Sequence, residues 1–255
     1  MKTLFLLLIT SSVVVQAQEN LKVSIAQMAI DSSMHPAFTV DIPQTESKKA
    51  IKIWGDQLVP KNIFSTFKKI PKMEKEDKDK WYISGVVVDE ICPDTLTVYT
   101  RINSYKDGIS FATLFQSEKG FIGGDDSEIE LNQRVENYVR KNAVEIYKQA
   151  VQDELDGLKK ELKKMENDYS GYGKDNKKLD RKARESQSNV DVLRAGSGIS
   201  ISEEGLKEIK KEEKDQRKYE KKKDKNTNKQ EKLEKEIKKM EDEIKAVQEK
   251  LKNIK

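Results

Sequence analysis

The apolar positions in the C-terminal half of the chain recur at alternating steps of four and three. Val151, Leu155, Leu158, Leu162, Met165, Tyr169, Tyr172, Asn176, Leu179, Ala183, Ser186, Val190 and Leu193 form one run, and Leu233, Ile237, Met240, Ile244, Val247, Leu251 and Ile254 end a second. A period of about 3.5 residues keeps a stripe on one side of a helix and makes it a coiled-coil seam. Gly196, Ser197 and Gly198 lie between the runs. The pattern predicts a long antiparallel helical hairpin over 125–255, with a first arm at about 127–195, a turn at about 196–202 and a second arm at about 203–254. With the turn centred near residue 201, seam partners have numbers that add to about 402. Val151 then faces Leu251, Leu155 faces Val247, Leu158 faces Ile244, Leu162 faces Met240, and Met165 faces Ile237. Further along, Tyr169 faces Leu233, Tyr172 faces Gln230 and Asn176 faces Asn226.

The arm ends carry start signals. Asp125, Asp126 and Ser127 offer capping oxygens and negative charge before the first arm. Ser200 and Glu203 have capping-box spacing, and the second arm is expected to begin near Ser202. From Leu131 to Ala150 the apolar stripe is broader, wide enough to lie on a preceding domain. Gln216, Lys223, Asn226 and Gln230 occupy seam positions where Leu or Ile would hold more firmly, so the distal hairpin is expected to zip loosely and open onto a partner. Gly171 and Gly173 weaken the first arm by about 1 kcal/mol each relative to Ala. They could break it into a loop, although the heptad phase runs through them.

Residues 18–124 alternate differently and predict a small α+β domain. Short strands are expected at 21–25 and 38–42. A helix then starts from a cap at Thr45 or Ser47 and gathers Ala50, Ile51, Trp54 and Leu58 on one face before Pro60. Ile63, Phe64 and Phe67 are expected to continue the core. Residues 72–80 are nearly all charged and read as a solvated loop. Residues 81–88 are a strong strand signal. Leu96, Val98, Thr100 and Ile102 alternate along a further strand. Tyr105, Lys106, Asp107 and Gly108 form a hairpin turn whose Asp-Gly pair tolerates positive φ, and a strand returns over 109–115. One helix covering a small antiparallel sheet buries Trp54 and the inner strand faces.

The Phe-Thr-Val-Asp-Ile-Pro strand at 38–43, the Trp-bearing helix after it and the terminal hairpin with its Lys-Asp-Gly turn resemble a family of uncharacterised bacterial exported domains with a TBP-like fold. The likeness covers 38–115. It implies a TBP-like domain, here fused to the coiled coil, with no enzymatic activity and no catalytic residues.

The first seventeen residues change the picture of location. Lys2, an apolar run over 4–15 and Val15-Gln16-Ala17 have the layout of a secretory signal, with cleavage expected between Ala17 and Gln18. The apolar run is shorter than the roughly 20 residues that span a bilayer. The expected product is exported, periplasmic or secreted, and soluble, with no transmembrane segment after cleavage.

Charged residues make up 37% of the chain and aromatics 7%, the balance of solvated helices rather than a large core. Net charge is +4, and residues 127–255 hold an excess of roughly five positive charges. Such a bias suits a solvated coiled coil and leaves room for contact with a membrane surface or an anionic polymer; nucleic acid is not expected, because Lys221, Lys222 and Lys223 have no interleaved aromatics beyond Tyr219.

Candidate chemistry is sparse. Cys92 is the only cysteine and His35 the only histidine, so no internal disulfide and no metal site is expected. Cys92 reads as a small buried hydrophobe, or as the thiol of an intermolecular disulfide. Asp89, Glu90 and Asp94 cluster near it without a nucleophile–base pair, and the glycines at 120, 123 and 124 lack the Gly-Lys-Ser/Thr of a phosphate loop. No catalytic residue, cofactor site or metal ligand is assigned. The expected function is that of an exported, non-enzymatic structural or interaction protein of the bacterial cell envelope, its hairpin serving self-assembly or partner binding. The alternative is a periplasmic holdase-type chaperone with basic helical arms.

Overall fold

A computed structural model of the chain describes residues 21–30, 32–59, 71–123, 128–196 and 201–254. The expected signal segment, Ile63, Phe64, Phe67, the cap at 125–127 and Ser200 lie outside the described residues. The elements are β1 (Ser24–Ile30), β2 (Ser33–Pro43), α1 (Ser47–Leu58), β3 (Glu74–Lys75), β4 (Lys80–Val88), β5 (Cys92–Tyr105), β6 (Gly108–Ser117), β7 (Gly120–Phe121), α2 (Ile129–Gly196) and α3 (Glu203–Asn253). The protein is α+β. A seven-stranded antiparallel sheet in the order β1-β2-β6-β5-β4-β3, with β7 beside β6, precedes two long helices.

The chain divides into two compact units. One holds the sheet, α1, α2 up to Glu154 and the chain from Glu249 on; the other is Leu155–Gln248.

In the first unit the alternation of β5 sets the core. Leu96, Val98, Thr100 and Ile102 are all buried; Val98 pairs in register with Phe115 and Ile102 with Phe111, and both rings pack against Trp54. Trp54 is fully buried, its ring centre 5.2 Å from that of Phe111. The apolar face of α1 buries Ala50, Trp54 and Leu58. The start of α2 adds Val135, Tyr138, Val139, Ala143 and Ile146 to the buried set. Tyr138 packs 5.8 Å from Trp54, and its hydroxyl donates to the carbonyl of Gln57 at 3.4 Å. Burial, with the negative charge of Glu90 second, pushes the Tyr138 phenol up to about 12. Lys49 and Asp153 form an ion pair at 2.9 Å. The opposite sheet face carries a second apolar cluster, with Met28, Ala37 and Leu114 buried and Tyr99 and Phe121 packed on them.

Several local expectations are corrected. The first strand runs over 24–30 rather than 21–25, and β2 begins at Ser33 rather than Phe38. The two pair as a hairpin from Ser24 with Thr39 to Ile30 with Ser33. The run from Ala26 to Ala29 does not alternate cleanly, and Pro36 argues against a central strand. It is accommodated because the β2–β6 ladder covers only Phe38 to Pro43, so Pro36 has a ladder on one side only. The α1 cap position is Glu46, with no side-chain cap. Thr45 instead donates its hydroxyl to the Pro43 carbonyl at 3.0 Å, and Ser47 bonds the Ser104 hydroxyl.

The charged stretch 72–80 contains β3, tied to the sheet by the Tyr82 hydroxyl donating to Glu74 at 2.6 Å. The 105–108 turn places Gly108 outside the positive-φ region. Its missing Cβ serves a close approach instead: an added methyl would sit 2.5 Å from the Ile42 carbonyl oxygen and 2.8 Å from Pro43 Cα. Cys92 opens β5 and is half-buried, while its neighbour Ile91 is the fully buried residue.

Candidate interaction surface of the long helices

The helix α2 continues through Gly171 and Gly173 without a break. Helix α3 starts as its residues suggest. The Ser202 hydroxyl accepts the Gly205 amide at 3.1 Å, and Glu203 and Glu204 stand in its first turn. The cap oxygen is therefore that of Ser202, satisfying one of the donors a helix start leaves open.

The exposure pattern follows the 3.5-residue stripe. Along α2, Val151 and Leu155 are buried, Leu158, Leu162, Met165 and Asn176 are half-buried, and Tyr169 is 37% exposed. Along α3, Ile244 and Val247 are buried, and Asn226, Leu233, Ile237, Met240 and Leu251 are half-buried. Near the other end, Ser186, Val190 and Ile209 are buried. The least covered stretch is thus the middle of the stripe, whereas loosening was expected to grow toward the turn.

Within Leu155–Gln248, polar contacts connect the helices. Arg194 pairs with Glu213 at 2.8 Å, Lys223 with Asp180 at 2.6 Å, and the Asn176 amide donates to Gln230 Oε1 at 3.0 Å. The Gln230 amide donates to the Tyr169 carbonyl at 3.1 Å. Lys229 sits 5.1 Å over the Tyr172 ring and Lys182 5.7 Å over that of Tyr219. As the residue number falls along α2, its partner's number rises along α3. Asn176 meets Gln230 and Thr227 rather than Asn226. Long side chains lean along the helix, so the bonded partner need not be the residue directly opposite. The Asn176 Oδ1 is buried and has no partner among the described residues.

One open groove lies between the helices in this unit, about 580 Å³ in volume, with Asp175, Leu179, Asn226 and a set of lysines along its walls. Among the described residues no group of three or more His, Cys, Asp or Glu side chains could hold a metal ion. Asp89, Glu90 and Asp94 do not gather into a site; Glu90 is paired with Lys141 at 2.8 Å and Asp94 with Lys119 at 3.9 Å. No helix among the described residues is long and apolar enough to cross a membrane. No family model, curated protein or solved structure matches the chain.

Proposed function

We propose that the protein is an exported, non-enzymatic interaction protein of the bacterial cell envelope, and that α2 and α3 zip into an antiparallel coiled-coil hairpin used for self-assembly or partner binding. The sheet domain, TBP-like in this reading, anchors that hairpin. The observation that carries it is the partial exposure of Leu158, Leu162, Met165 and Tyr169 on a stripe in strict heptad phase. Residues in that phase bury fully when enough helices surround the seam. Two helices leave them half covered, so apolar area remains for a further helix. The signal layout of the first seventeen residues supports export.

Light scattering on the full chain tests the reading. Self-assembly gives a mass that is a multiple of the monomer and falls when Leu162 and Met165 are both changed to Gln. A monomer at all concentrations, with no partner retained from an envelope extract in a Tyr169-dependent way, would refute it. Suppression of aggregation of an unfolded client at stoichiometric ratios would move the assignment to a holdase chaperone.

A further inference from the structure

The groove between α2 and α3 concentrates charge that neither helix shows alone. Residues 174–184 hold six basic and two acidic side chains, and 217–232 hold eight and three. Their combined excess is larger than the +4 of the whole chain, so the remainder of the protein is net acidic. The ion pair of Asp180 with Lys223 and the bond of Asn176 to Gln230 bring these two stretches side by side. Lys178 and Lys182 then line one wall of the groove, and Lys222, Lys225, Lys229 and Lys232 the other. Asp175 is the one carboxylate on the lining. Asp175 lies 3.9 Å from Lys178, and a counter-charge along the groove would offset the repulsion among the remaining lysines.

From this geometry we infer that the groove binds a linear phosphate polymer of the inorganic polyphosphate type; the inference rests on the paired-helix reading above. The four α3 lysines are spaced over ten residues, a track of about 15 Å at ~1.5 Å per residue. A chain with a charge on every short repeat can neutralise such a track along its length. Ammonium groups act as point charges and need no fixed acceptor geometry, which suits a repeating polymer rather than one shaped ligand. The groove runs between the two helices as an open channel, which a flexible strand can follow along its length. Its walls expose no aromatic platform for stacking bases, since the neighbouring Tyr172 and Tyr219 rings carry lysine ammonium groups and single-stranded nucleic acid relies on such platforms.

The test uses the full chain with fluorescently labelled medium-length inorganic polyphosphate, followed by anisotropy at several salt concentrations. Binding should weaken steeply with salt as counterions are released. The variant Lys222→Gln, Lys225→Gln, Lys229→Gln, Lys232→Gln should bind at least ~10-fold more weakly. The control Lys207→Gln, Lys210→Gln, Lys211→Gln, Lys214→Gln removes the same charge elsewhere on α3 and should change affinity less than ~3-fold. Equal loss in both variants, no binding, or tighter binding to anionic vesicles than to polyphosphate would overturn the inference. A Cys92→Ala background carrying Asp180→Cys and Lys223→Cys, treated with a flexible bis-maleimide that spans a lysine-length gap, separates the two readings. A crosslink that forms while polyphosphate fails to bind removes the inference alone; a crosslink that never forms removes the paired helices and the groove with them.

Discussion

The indole nitrogen of Trp54 donates to the hydroxyl of Thr100 at 2.9 Å, with both residues buried in the sheet domain. Thr100 is the polar member of an otherwise apolar strand face, and this bond is what admits it there. Replacing Thr100 with Val keeps the shape and strands the indole N–H, at a cost of about 1–3 kcal/mol. Trp54→Phe removes packing as well as the donor, at a cost of about 1–4 kcal/mol. The double variant should be more stable than the sum of the two losses implies, because no donor is left unpaired. Urea unfolding of the three variants checks this; strict additivity would mean that the bond contributes nothing.

Tyr138 sets an alkaline limit. Its phenol is held up to about 12 in the folded protein, against about 10 when unfolded. The folded state therefore prefers the neutral form. The stability this contributes is fully present below pH 10 and is lost as pH rises from about 10 through 12, a decline on the order of 3 kcal/mol. Tyr138→Phe should flatten that limb of the urea midpoint-against-pH profile. An unchanged slope would show that the phenol is not desolvated.

Gly108 should not tolerate a side chain. A methyl there would press on the Ile42 carbonyl and on Pro43, forcing β2 and β6 apart at the end of their ladder. Gly108→Ala is expected to cost about 1–3 kcal/mol, read as a drop in thermal midpoint. Gly85 has nothing within 4 Å of its would-be Cβ but sits at φ 78°, so Gly85→Asn should be milder than Gly85→Val. Equal tolerance at Gly108 and at an exposed loop residue would contradict the close approach.

These cases show what the chain made legible. Alternation along β5 and the 3.5-residue beat of α2 and α3 could be read directly, because each burial pattern depends on spacing within one element. The hairpin of β1 with β2 could not. Pro36 looks like a strand breaker until the ladder beside it is known to stop at Phe38. Glu74 and Lys75 looked like loop, and only their pairing with Tyr82 and Trp81, reinforced by the Tyr82 hydroxyl, shows why they join the sheet. The lysine groove was hidden for the same reason: Lys221, Lys222 and Lys223 read as a solvated face of one helix, and a two-walled groove exists only when Lys178 and Lys182 arrive from the other.

The Asn176 amide and Gln230 Oε1 bond across the two helices at 3.0 Å. Their bond leaves the Asn176 carbonyl oxygen buried and unpartnered, an arrangement that apolar residues would better fill. The pair Asn176→Leu and Gln230→Leu should raise the thermal stability of the full chain by about 1–3 kcal/mol while broadening the range of cross-helix disulfides that can form. Higher stability with a single unchanged disulfide partner would show that register is set elsewhere.

The most direct test of the antiparallel seam is disulfide formation in a Cys92→Ala background between Leu162→Cys and Met240→Cys, compared with Leu162→Cys and Leu233→Cys. With partner numbers adding to about 402, the first pair should close quickly under mild oxidation and the second should not. A chain in which the Leu162–Leu233 pair closes and the Leu162–Met240 pair stays reduced would contradict the register and the groove built on it.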